Sequence, residues 1–297
     1  MPLIIHIGFH KTGSTALQEF LFAEREALAT RGIIIPPGLS SWLGHPELSW
    51  ICQPERLPWQ DRDYDPDAVL AHYRPYLELS RSPETTVILT SEEFCRLEFR
   101  YRTLSNVRDH LGAYQPIIVA FFRNPMKFLL SRYRHEVQNG YEPRALKDFI
   151  LDVGNLLSAK FDFRCQAWDD AFDERGLYRN YDLLDPEVSI VDHFFQLIDV
   201  HDIHQERQES DESKLDSRLL DMFRGLVLSE LPREQKSDLM GKMFVLSDML
   251  EGDNMGALAR SNIMHAEFDS LFESLANRDI ATERRYGDLL AGLKSHP

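Results

Sequence analysis

The chain begins with an apolar run that ends in a glycine-containing loop. Residues 3–9, LIIHIGF, are almost continuously apolar, and the loop HKTGST after them contains Gly13 together with lysine and hydroxyl side chains. A strand that is buried on both faces of a parallel sheet has this continuous apolar pattern. After the loop, Leu17 and Leu21 recur at helical spacing, and Gly32 marks a helix end. A strand, a loop and a helix in this order predict the first half of a βαβ unit.

The same pattern recurs along the chain. Apolar segments that end in polar or turn residues follow at 33–35, 85–94, 116–125 and, more weakly, 176–184. The segment PIIVAFFRNP runs into Asn124, a residue type that caps helices, and Pro125, which suits a first helical position. Repeated units of this kind predict an α/β fold with a central parallel sheet between helical layers.

The sequence predicts one domain over residues 1–297. Residues 36–80 are rich in Pro, Trp and His and read as a long irregular insertion, a type of segment that often forms a lid or a binding surface. We expect residues 186–297 to form a mostly helical C-terminal part. Its acidic stretch HQERQESDESK, residues 204–214, is typical of a solvated loop or helix end.

Charge and hydropathy limit the partners and the compartment. A formal net charge of −15 argues against broad nucleic-acid binding, which requires a basic face. No apolar run reaches the roughly 18 residues of a membrane span. The N-terminus lacks the basic region and the small-residue cleavage site of a signal peptide, and we therefore expect a cytoplasmic protein.

The cysteines indicate neither a disulfide framework nor a metal site. Cys52, Cys95 and Cys165 are far apart, and no C-x-x-C spacing is present. We expect three reduced, packed thiols and no bound metal.

The first loop has the outline of a phosphate-binding loop. Four residues separate Gly8 from Gly13, and Thr15 supplies a hydroxyl group. Glycines let the backbone approach an anion closely, and the following helix offers unpaired N–H groups with partial positive charge. In G-x-x-x-x-G-K-[ST] loops a lysine follows the second glycine. Here Ser14 has that position and Lys11 lies inside the loop. The outline of the loop predicts a three-layer, P-loop-NTPase-like fold. Nothing in the loop requires ATP as the ligand.

A P-loop kinase or NTPase is the alternative enzyme. In these enzymes an apolar strand ends in an aspartate that binds Mg²⁺. Neither TVILTSEE (86–93) nor IIVAFFRN (117–124) ends in this way. The alternative therefore lacks both the expected lysine and an obvious metal ligand.

Two motifs together resemble those of the sulfotransferases that use 3′-phosphoadenosine 5′-phosphosulfate (PAPS). HKTGSTALQ (10–18) resembles their 5′-phosphosulfate loop. VAFFRNPMKFLLSRYRHEV (119–137) resembles their 3′-phosphate motif, in which a strand ends in an arginine, a proline follows after two residues and a serine after eight. In this chain these residues are Arg123, Pro125 and Ser131, with Tyr133 two residues further on.

Weaker blocks extend the resemblance over most of the chain. TSEEF (90–94), WDDAF (168–172) and LANRDIATERRYG (275–287) resemble segments of a bacterial, carbohydrate-type branch of the family. The glycine- and lysine-rich C-terminal motif of the cytosolic small-molecule branch is not visible. The residues that contact the adenine are therefore unassigned.

The resemblance implies the transfer of a sulfuryl group from PAPS to an acceptor hydroxyl, with no metal required. It implies that Lys11 stabilises the charge that develops on the bridging oxygen. It also implies that Arg123 and Ser131 hold the 3′-phosphate, a group that matches guanidinium geometry. The residues implied around the 5′-phosphosulfate are His10, Lys11, Thr12, Gly13, Ser14, Thr15 and Ala16.

Two carboxylates and one histidine are candidates for the general base. Glu92 follows a predicted strand at the sheet edge where the ligands of α/β proteins collect. The resemblance places it near the catalytic histidine of the cytosolic branch. Glu93 competes for this role, and His45 in the 36–80 segment is the second candidate.

The acceptor is indicated only by the 36–80 segment. Its ring side chains Trp42, His45, Trp50 and Trp59 either stack on sugar faces or form a small core of the segment itself. The resemblance to the carbohydrate-type branch implies a glycan acceptor. A non-catalytic nucleotide-binding relative is a further alternative, although the presence of Lys11, Arg123 and Ser131 argues against it.

Overall fold

The structure, a computed structural model, describes residues 2–99, 103–205 and 220–229 and the single positions 232, 235, 236, 239 and 242. Contacts divide the chain into two units. The sheet unit contains the described residues within Met1–Arg123 and Asp162–Arg207, and the helical unit contains those within Asn124–Phe161 and Gln208–Ile280. One domain over 1–297 stays a prediction.

The sheet unit is built on a parallel sheet, as the sequence predicts. The strands are β1 (Leu3–His6), β2 (Ile33–Ile34), β3 (Thr86–Thr90), β4 (Ile117–Phe122) and β5 (Gly176–Asn180). They lie in the order β2-β3-β1-β4-β5, and every neighbouring pair is parallel. In the register, Ile4 of β1 faces Ile88 of β3 and Ile117 of β4. Because β1 is the central strand, the loop after it lies at the middle of the carboxyl edge.

Helices cover both faces of the sheet, and this explains the continuously apolar strands. Every residue of β1 and β3 is buried. Ile4, Ile88 and Val119 pack in a core cluster with the helices that follow β1 and β5. Successive strand side chains alternate between faces. Tyr178 accordingly lies on the other face, where its hydroxyl donates to the carbonyl of Cys165 at 3.3 Å. The predicted three-layer α/β fold is confirmed.

The described residues contain eleven helices. In chain order they are α1 (Ser14–Ala23), α2 (Arg25–Ala29), α3 (Pro46–Trp50), α4 (Pro66–Leu79), α5 (Thr103–Leu111), α6 (Pro125–Gln138), α7 (Leu146–Leu151), α8 (Val153–Ser158), α9 (Phe161–Ala171), α10 (Ile190–Leu197) and α11 (Leu220–Leu228). Short 3₁₀ helices span Glu92–Phe99, Gly112–Tyr114 and Tyr181–Leu183.

The start of α6 follows from its sequence. The Asn124 side chain accepts hydrogen bonds from the N–H groups of Met126 (3.0 Å) and Lys127 (3.2 Å), and Pro125 is the first helical residue. An asparagine cap satisfies N–H groups that the helix itself leaves unpaired, and proline loses nothing at this position. The predicted cap is confirmed.

Residues 36–80 are less irregular than the sequence predicts, because they contain α3 and the 14-residue α4. The Glu47 carboxylate is buried and accepts hydrogen bonds from the N–H of Leu39 (2.9 Å) and the hydroxyl of Tyr73. Trp50 is buried as well. The segment thus has a core of its own, which composition does not reveal. Its role as an acceptor lid stays a prediction.

The C-terminal part is described only in pieces. Residues 186–205 include α10, and α11 is helical as predicted. The block LANRDIATERRYG (275–287) and most of the acidic stretch 204–214 lie outside the described residues. Within the described ranges no helix combines the length and the apolar character that crossing a membrane requires.

The cysteines are as expected. Cys52, Cys95 and Cys165 are free thiols, and all three are buried in the sheet unit.

Candidate functional site

The loop after β1 has the backbone of an anion-binding turn. Gly8, Lys11 and Gly13 have positive φ angles of 42°, 66° and 81°, a region that glycine enters at little cost. Gly13 immediately precedes α1, and a Cβ added there would lie 3.2 Å from the Ile190 side chain. Both the conformation and the close packing therefore require glycine at position 13.

The first turn of α1 presents free N–H groups to solvent. Gly13 provides no side-chain cap for α1, and Thr15 and Ala16 are exposed. By contrast, the buried Thr12 hydroxyl donates to the carbonyl of Phe9 at 2.5 Å, within the loop. Of the predicted phosphosulfate contacts, Thr15 and Ala16 thus face outward, while the Thr12 side chain shapes the loop.

Lys11 lies at the exposed side of this turn. Its side chain is half-buried, and no described residue makes a hydrogen bond or an ion pair with its ammonium group. A lysine with φ of 66° is uncommon, and strained backbone of this kind persists where the surroundings fix it. The charge is therefore held on a fixed backbone beside the helix N-terminus.

Arg123 contacts this loop directly. It follows β4, which neighbours β1, and its Nη1 donates to the Lys11 carbonyl at 3.0 Å. Its Nη2 forms an ion pair with Asp182 Oδ1 at 3.1 Å. The Tyr181 ring lies beside it, with the centroid 5.6 Å from Arg123 Cζ. The structure thus brings the arginine of the second motif onto the lysine of the first, and it adds Asp182 and Tyr181, which the sequence analysis missed.

Ser131 lies in α6, in the helical unit, on a half-buried position. Its contact with a 3′-phosphate stays a prediction.

Glu92 and His10 form an ion pair at the mouth of the loop. His10 Nδ1 lies 2.7 Å from Glu92 Oε2, and the two side chains are 28% and 29% exposed. Burial lowers the pKa of His10, but the hydrogen bonds with Cys95 and Glu92 and the charge of Glu92 outweigh it and raise that pKa to about 9. Burial raises the pKa of Glu92, but His10, Ser14 and His6 outweigh it and lower that pKa to about 2. At neutral pH the pair is fully charged.

The Glu93 carboxylate is hydrogen-bonded to the 36–80 segment. Its Oε2 accepts hydrogen bonds from the indole N–H groups of Trp50 (3.1 Å) and Trp59 (2.9 Å). Arg96 lies 3.3 Å from its Oε1 and stacks over the Trp59 ring at 4.8 Å. A carboxylate with these partners positions aromatic side chains and has little capacity left to accept a proton from substrate. Glu93 is therefore a poor alternative to Glu92.

His45 is fully buried, contrary to what a general base requires. Nε2 lies 2.8 Å from the Pro36 carbonyl, and the N–H of Thr90 donates to Nδ1 at 2.9 Å. Burial lowers the pKa of His45. With both ring nitrogens engaged by backbone, His45 joins the segment to the end of β3, and the geometry argues against a catalytic role.

His6 is a third residue that the sequence analysis missed. It is the one polar residue of β1, and its Nδ1 lies 2.8 Å from Thr90 Oγ1. Burial lowers its pKa to about 4, although the Glu92 charge opposes this. A neutral histidine thus lies under the loop near Gly8 and Glu92. The sequence signal for His6 was its position as a polar residue inside the apolar run 3–9.

A cavity of about 480 Å³ lies away from this site. Pro116 and Arg175, which line it, immediately precede β4 and β5, so it opens at the amino edge of the sheet. Within the described ranges, no three His, Cys, Asp or Glu side chains are grouped so as to hold a metal ion.

Comparison with known proteins gives structural matches only. No family model matches the chain, and no curated protein matches it. It is similar to a sulfotransferase structure from Alicyclobacillus acidocaldarius, with 18% identity and a TM-score of 0.46 over 78% of this chain and 97% of that one. It is also similar to mouse sulfotransferase SULT7A1 complexed with PAP, with 12% identity and a TM-score of 0.37 over 100% and 89%. Both of these structures are sulfotransferases.

Proposed function

We propose that the protein is a sulfotransferase that moves a sulfuryl group from PAPS to an acceptor hydroxyl, with a glycan as the acceptor class. One observation carries this proposal: Arg123, from the motif after β4, donates to the backbone of Lys11 in the motif after β1. Arg123 and Lys11 are 112 positions apart in sequence and meet at the carboxyl edge of the sheet, where α/β proteins bind ligands, which supports a single binding site.

The loop and the start of α1 are assigned to the 5′-phosphosulfate. The N–H groups of Ser14, Thr15 and Ala16, which the helix itself leaves unpaired, suit its anionic oxygens. The Thr15 hydroxyl adds a donor. The Lys11 ammonium is assigned to the oxygen that bridges phosphorus and sulfur, where negative charge grows as the S–O bond breaks.

Glu92 is assigned to the acceptor hydroxyl. As the acceptor oxygen bonds to sulfur, the bond between sulfur and the bridging oxygen breaks, and the bisphosphate leaves with that electron pair. The acceptor proton passes to Glu92. Because the pKa of Glu92 is about 2, the carboxylate is a weak base that orients the hydroxyl first and takes the proton late. His10 keeps it ionised and pointed at the loop.

Arg123 and Ser131 are assigned to the 3′-phosphate. The guanidinium has five N–H donors, and the contacts with Lys11 and Asp182 use two of them. Nε is buried without a hydrogen-bond partner, and the second N–H groups of Nη1 and Nη2 suit a phosphate. The adenine contacts are unassigned.

Exposed indoles support a glycan acceptor. Trp42 is 45% exposed and Trp59 is 36% exposed, an unusual state for large aromatic side chains. Trp59 is fixed by Glu93, the neighbour of Glu92. Flat aromatic faces next to the assigned base suit the apolar face of a sugar ring.

A kinase or NTPase is the second candidate, and one observation favours it. The Ser14 hydroxyl hydrogen-bonds the Glu92 carboxylate, and P-loop enzymes hold Mg²⁺ between a loop hydroxyl and an acidic residue of a neighbouring strand. Against this candidate, the charge of His10 neutralises the carboxylate, which weakens it as a metal ligand.

The test is transfer of ³⁵S from labelled PAPS to a panel of glycans, lipids, phenols and peptides, together with thermal shifts by PAPS, its bisphosphate product and Mg-ATP. We expect label on a glycan and stabilisation by both PAPS and its bisphosphate product. Stabilisation by Mg-ATP alone would favour the kinase. Binding of the bisphosphate with no transfer to any acceptor would favour a non-catalytic relative.

A further inference from the structure

The Arg123 guanidinium joins two loops of the sheet unit. Nη1 donates to the carbonyl of Lys11 in the loop after β1, and Nη2 contacts Asp182 in the 3₁₀ helix after β5, at 3.0 and 3.1 Å. The Arg123 and Asp182 side chains are only 18% and 10% exposed. Lys11, Arg123 and Asp182 therefore form a continuous chain of contacts across the carboxyl edge.

The contact at Lys11 falls on a strained residue. Lys11 has φ of 66°, and a non-glycine residue stays in this region only where its surroundings fix it. A hydrogen bond from a charged donor is roughly twice as strong as a neutral one. The position of the Lys11 backbone, and with it the base of the ammonium-bearing side chain, thus depends on where Arg123 is held.

Asp182 is well placed to hold it. Its backbone N–H donates to the Asn180 side chain at 2.9 Å, which fixes the turn that carries it. The Tyr181 ring closes another side of the guanidinium. Because the pair is mostly shielded from water, its attraction is screened less than that of a surface pair.

We propose that Asp182 is a positioning residue that holds Arg123 against the Lys11 carbonyl, so that the Arg123–Asp182 pair braces the phosphosulfate loop. This bracing is additional to the part assigned to Arg123 at the 3′ position, and it rests on the proposed function only for the identity of the donor. It implies that a ligand which fills the loop but lacks a 3′-phosphate also depends on Asp182.

The test compares two nucleotides by calorimetry at neutral pH. The affinity for adenosine 5′-monophosphate reports on the loop alone, and the affinity for adenosine 3′,5′-bisphosphate reports on the loop and the 3′ position. We expect Asp182→Asn to weaken the monophosphate about five- to tenfold, the size of one charge-assisted contact, and the bisphosphate at least as much. Asp185→Asn makes the same change three residues further on at an exposed side chain and should leave both affinities within about twofold.

A double-mutant cycle separates bracing from general destabilisation. Arg123→Lys keeps the charge but loses the planar guanidinium, whose two terminal nitrogens contact Lys11 and Asp182 at the same time. If both residues act through one brace, the double variant should weaken the monophosphate no more than about twofold beyond the stronger single variant. Melting temperatures confirm that each variant is folded where binding is measured. Additive losses would overturn the proposal.

Other outcomes are equally decisive. Unchanged monophosphate binding in Asp182→Asn overturns the bracing, even if the bisphosphate weakens, because Asp182 then acts only at the 3′ position. If Asp182→Asn does not fold, Arg123→Lys is measured alone, and native affinity for the monophosphate in that variant overturns the proposal. Native protein that binds both nucleotides equally contradicts the proposed donor but leaves the bracing measurable. Native protein that binds neither overturns both.

Discussion

The loop after β1 and the 36–80 segment are both polar, irregular-looking stretches of the sheet unit, yet they use their polar groups in opposite ways. In the loop, no side chain caps the N–H groups of the first turn of α1, and the Lys11 ammonium has no partner among the described residues. In the segment, Glu47 and His45 are buried and bound to neighbouring groups. One region leaves donors open for a ligand, and the other uses its donors and acceptors to hold itself together.

The comparison shows that polar residues alone do not indicate a ligand site. His45 and Glu47 have side chains that suit catalysis, but burial and internal hydrogen bonds remove them from it. Glu92 lies between the two regions. It pairs with His10 in the loop, while its neighbour Glu93 binds the indoles of the segment. Unsatisfied donors at a backbone that requires glycine are the more specific sign of a ligand site.

The largest expected effect is in the loop. Lys11→Ala should lower kcat/KM for sulfuryl transfer about a thousandfold, because the loss of a group that stabilises transition-state charge has this size. Binding of the bisphosphate product should fall much less, since the helix N-terminus and Arg123 are retained. The measurements are initial rates with labelled PAPS and calorimetry with the product.

Lys147→Ala removes an exposed lysine in the helical unit and is the matched control. It should leave both quantities unchanged. A Lys11→Ala variant that retains most of its transfer activity would show that the loop binds the donor without taking part in the chemistry.

The second effect is on the stability of the segment. Glu93→Ala should lower the free energy of unfolding by about 2 kcal/mol, since the buried N–H of Trp50 loses its acceptor. It should raise the acceptor KM and leave donor binding unchanged. Urea denaturation and steady-state kinetics measure these quantities, and Glu84→Ala, at an exposed position, is the control. Weaker donor binding in Glu93→Ala would mean that the two regions are not separable.

The third effect is the pH dependence of the ion pair between the regions. The pKa of His10 is raised from 6.5 to about 9, so its contribution to stability is complete below pH 6.5 and is lost as pH rises through about 9. The pKa of Glu92 is lowered from 4.5 to about 2, so its contribution is complete above pH 4.5 and is lost as pH falls through about 2. The pair is therefore charged at all intermediate pH values.

We expect the rate of transfer to decline above about pH 9, as the His10 imidazolium loses its proton. His10→Gln should lack this alkaline limb and be about tenfold slower at neutral pH, the size of one charge-assisted hydrogen bond. His201→Gln, at an exposed histidine paired with Asp199, should keep the native profile. An alkaline limb that persists in His10→Gln would assign it to another group.

The fold could be predicted from the sequence because its signals are local. The continuous apolar runs of β1 and β3 follow from burial on both faces, and Asn124 with Pro125 marks the start of α6. Segment 36–80 was not predictable in this way. Its helices depend on the burial of Glu47 against Tyr73 and of Trp50 against Glu93. Such contacts join residues that are far apart in sequence and leave no periodic pattern.

The residues of the candidate site likewise include some that the sequence could identify and some that it could not. Gly13, Lys11 and Arg123 could be identified because their motifs have fixed spacing. The Arg123–Asp182 pair and the His10–Glu92 pair could not be identified in this way. The residues of the first pair are 59 positions apart and those of the second are 82 positions apart. They come together only when strands β1, β3, β4 and β5 are ordered. The burial of His45 could not be predicted for the same reason, because the backbone groups that its ring contacts belong to Pro36 and Thr90.

The smallest expected effect concerns the exposed face of the 36–80 segment. The Trp42 ring is 45% exposed and packs edge-on against Trp50, with centroids 5.9 Å apart. Trp42→Ala should raise the acceptor KM about three- to tenfold, the worth of one aromatic contact, with donor KM and melting temperature unchanged. Trp42→Phe keeps an aromatic face and should recover most of the loss. A donor KM that changes in parallel with the acceptor KM would place Trp42 on the donor side. An unchanged acceptor KM in Trp42→Ala would instead restrict the acceptor surface to Trp59, whose indole is already held by Glu93 beside the assigned base.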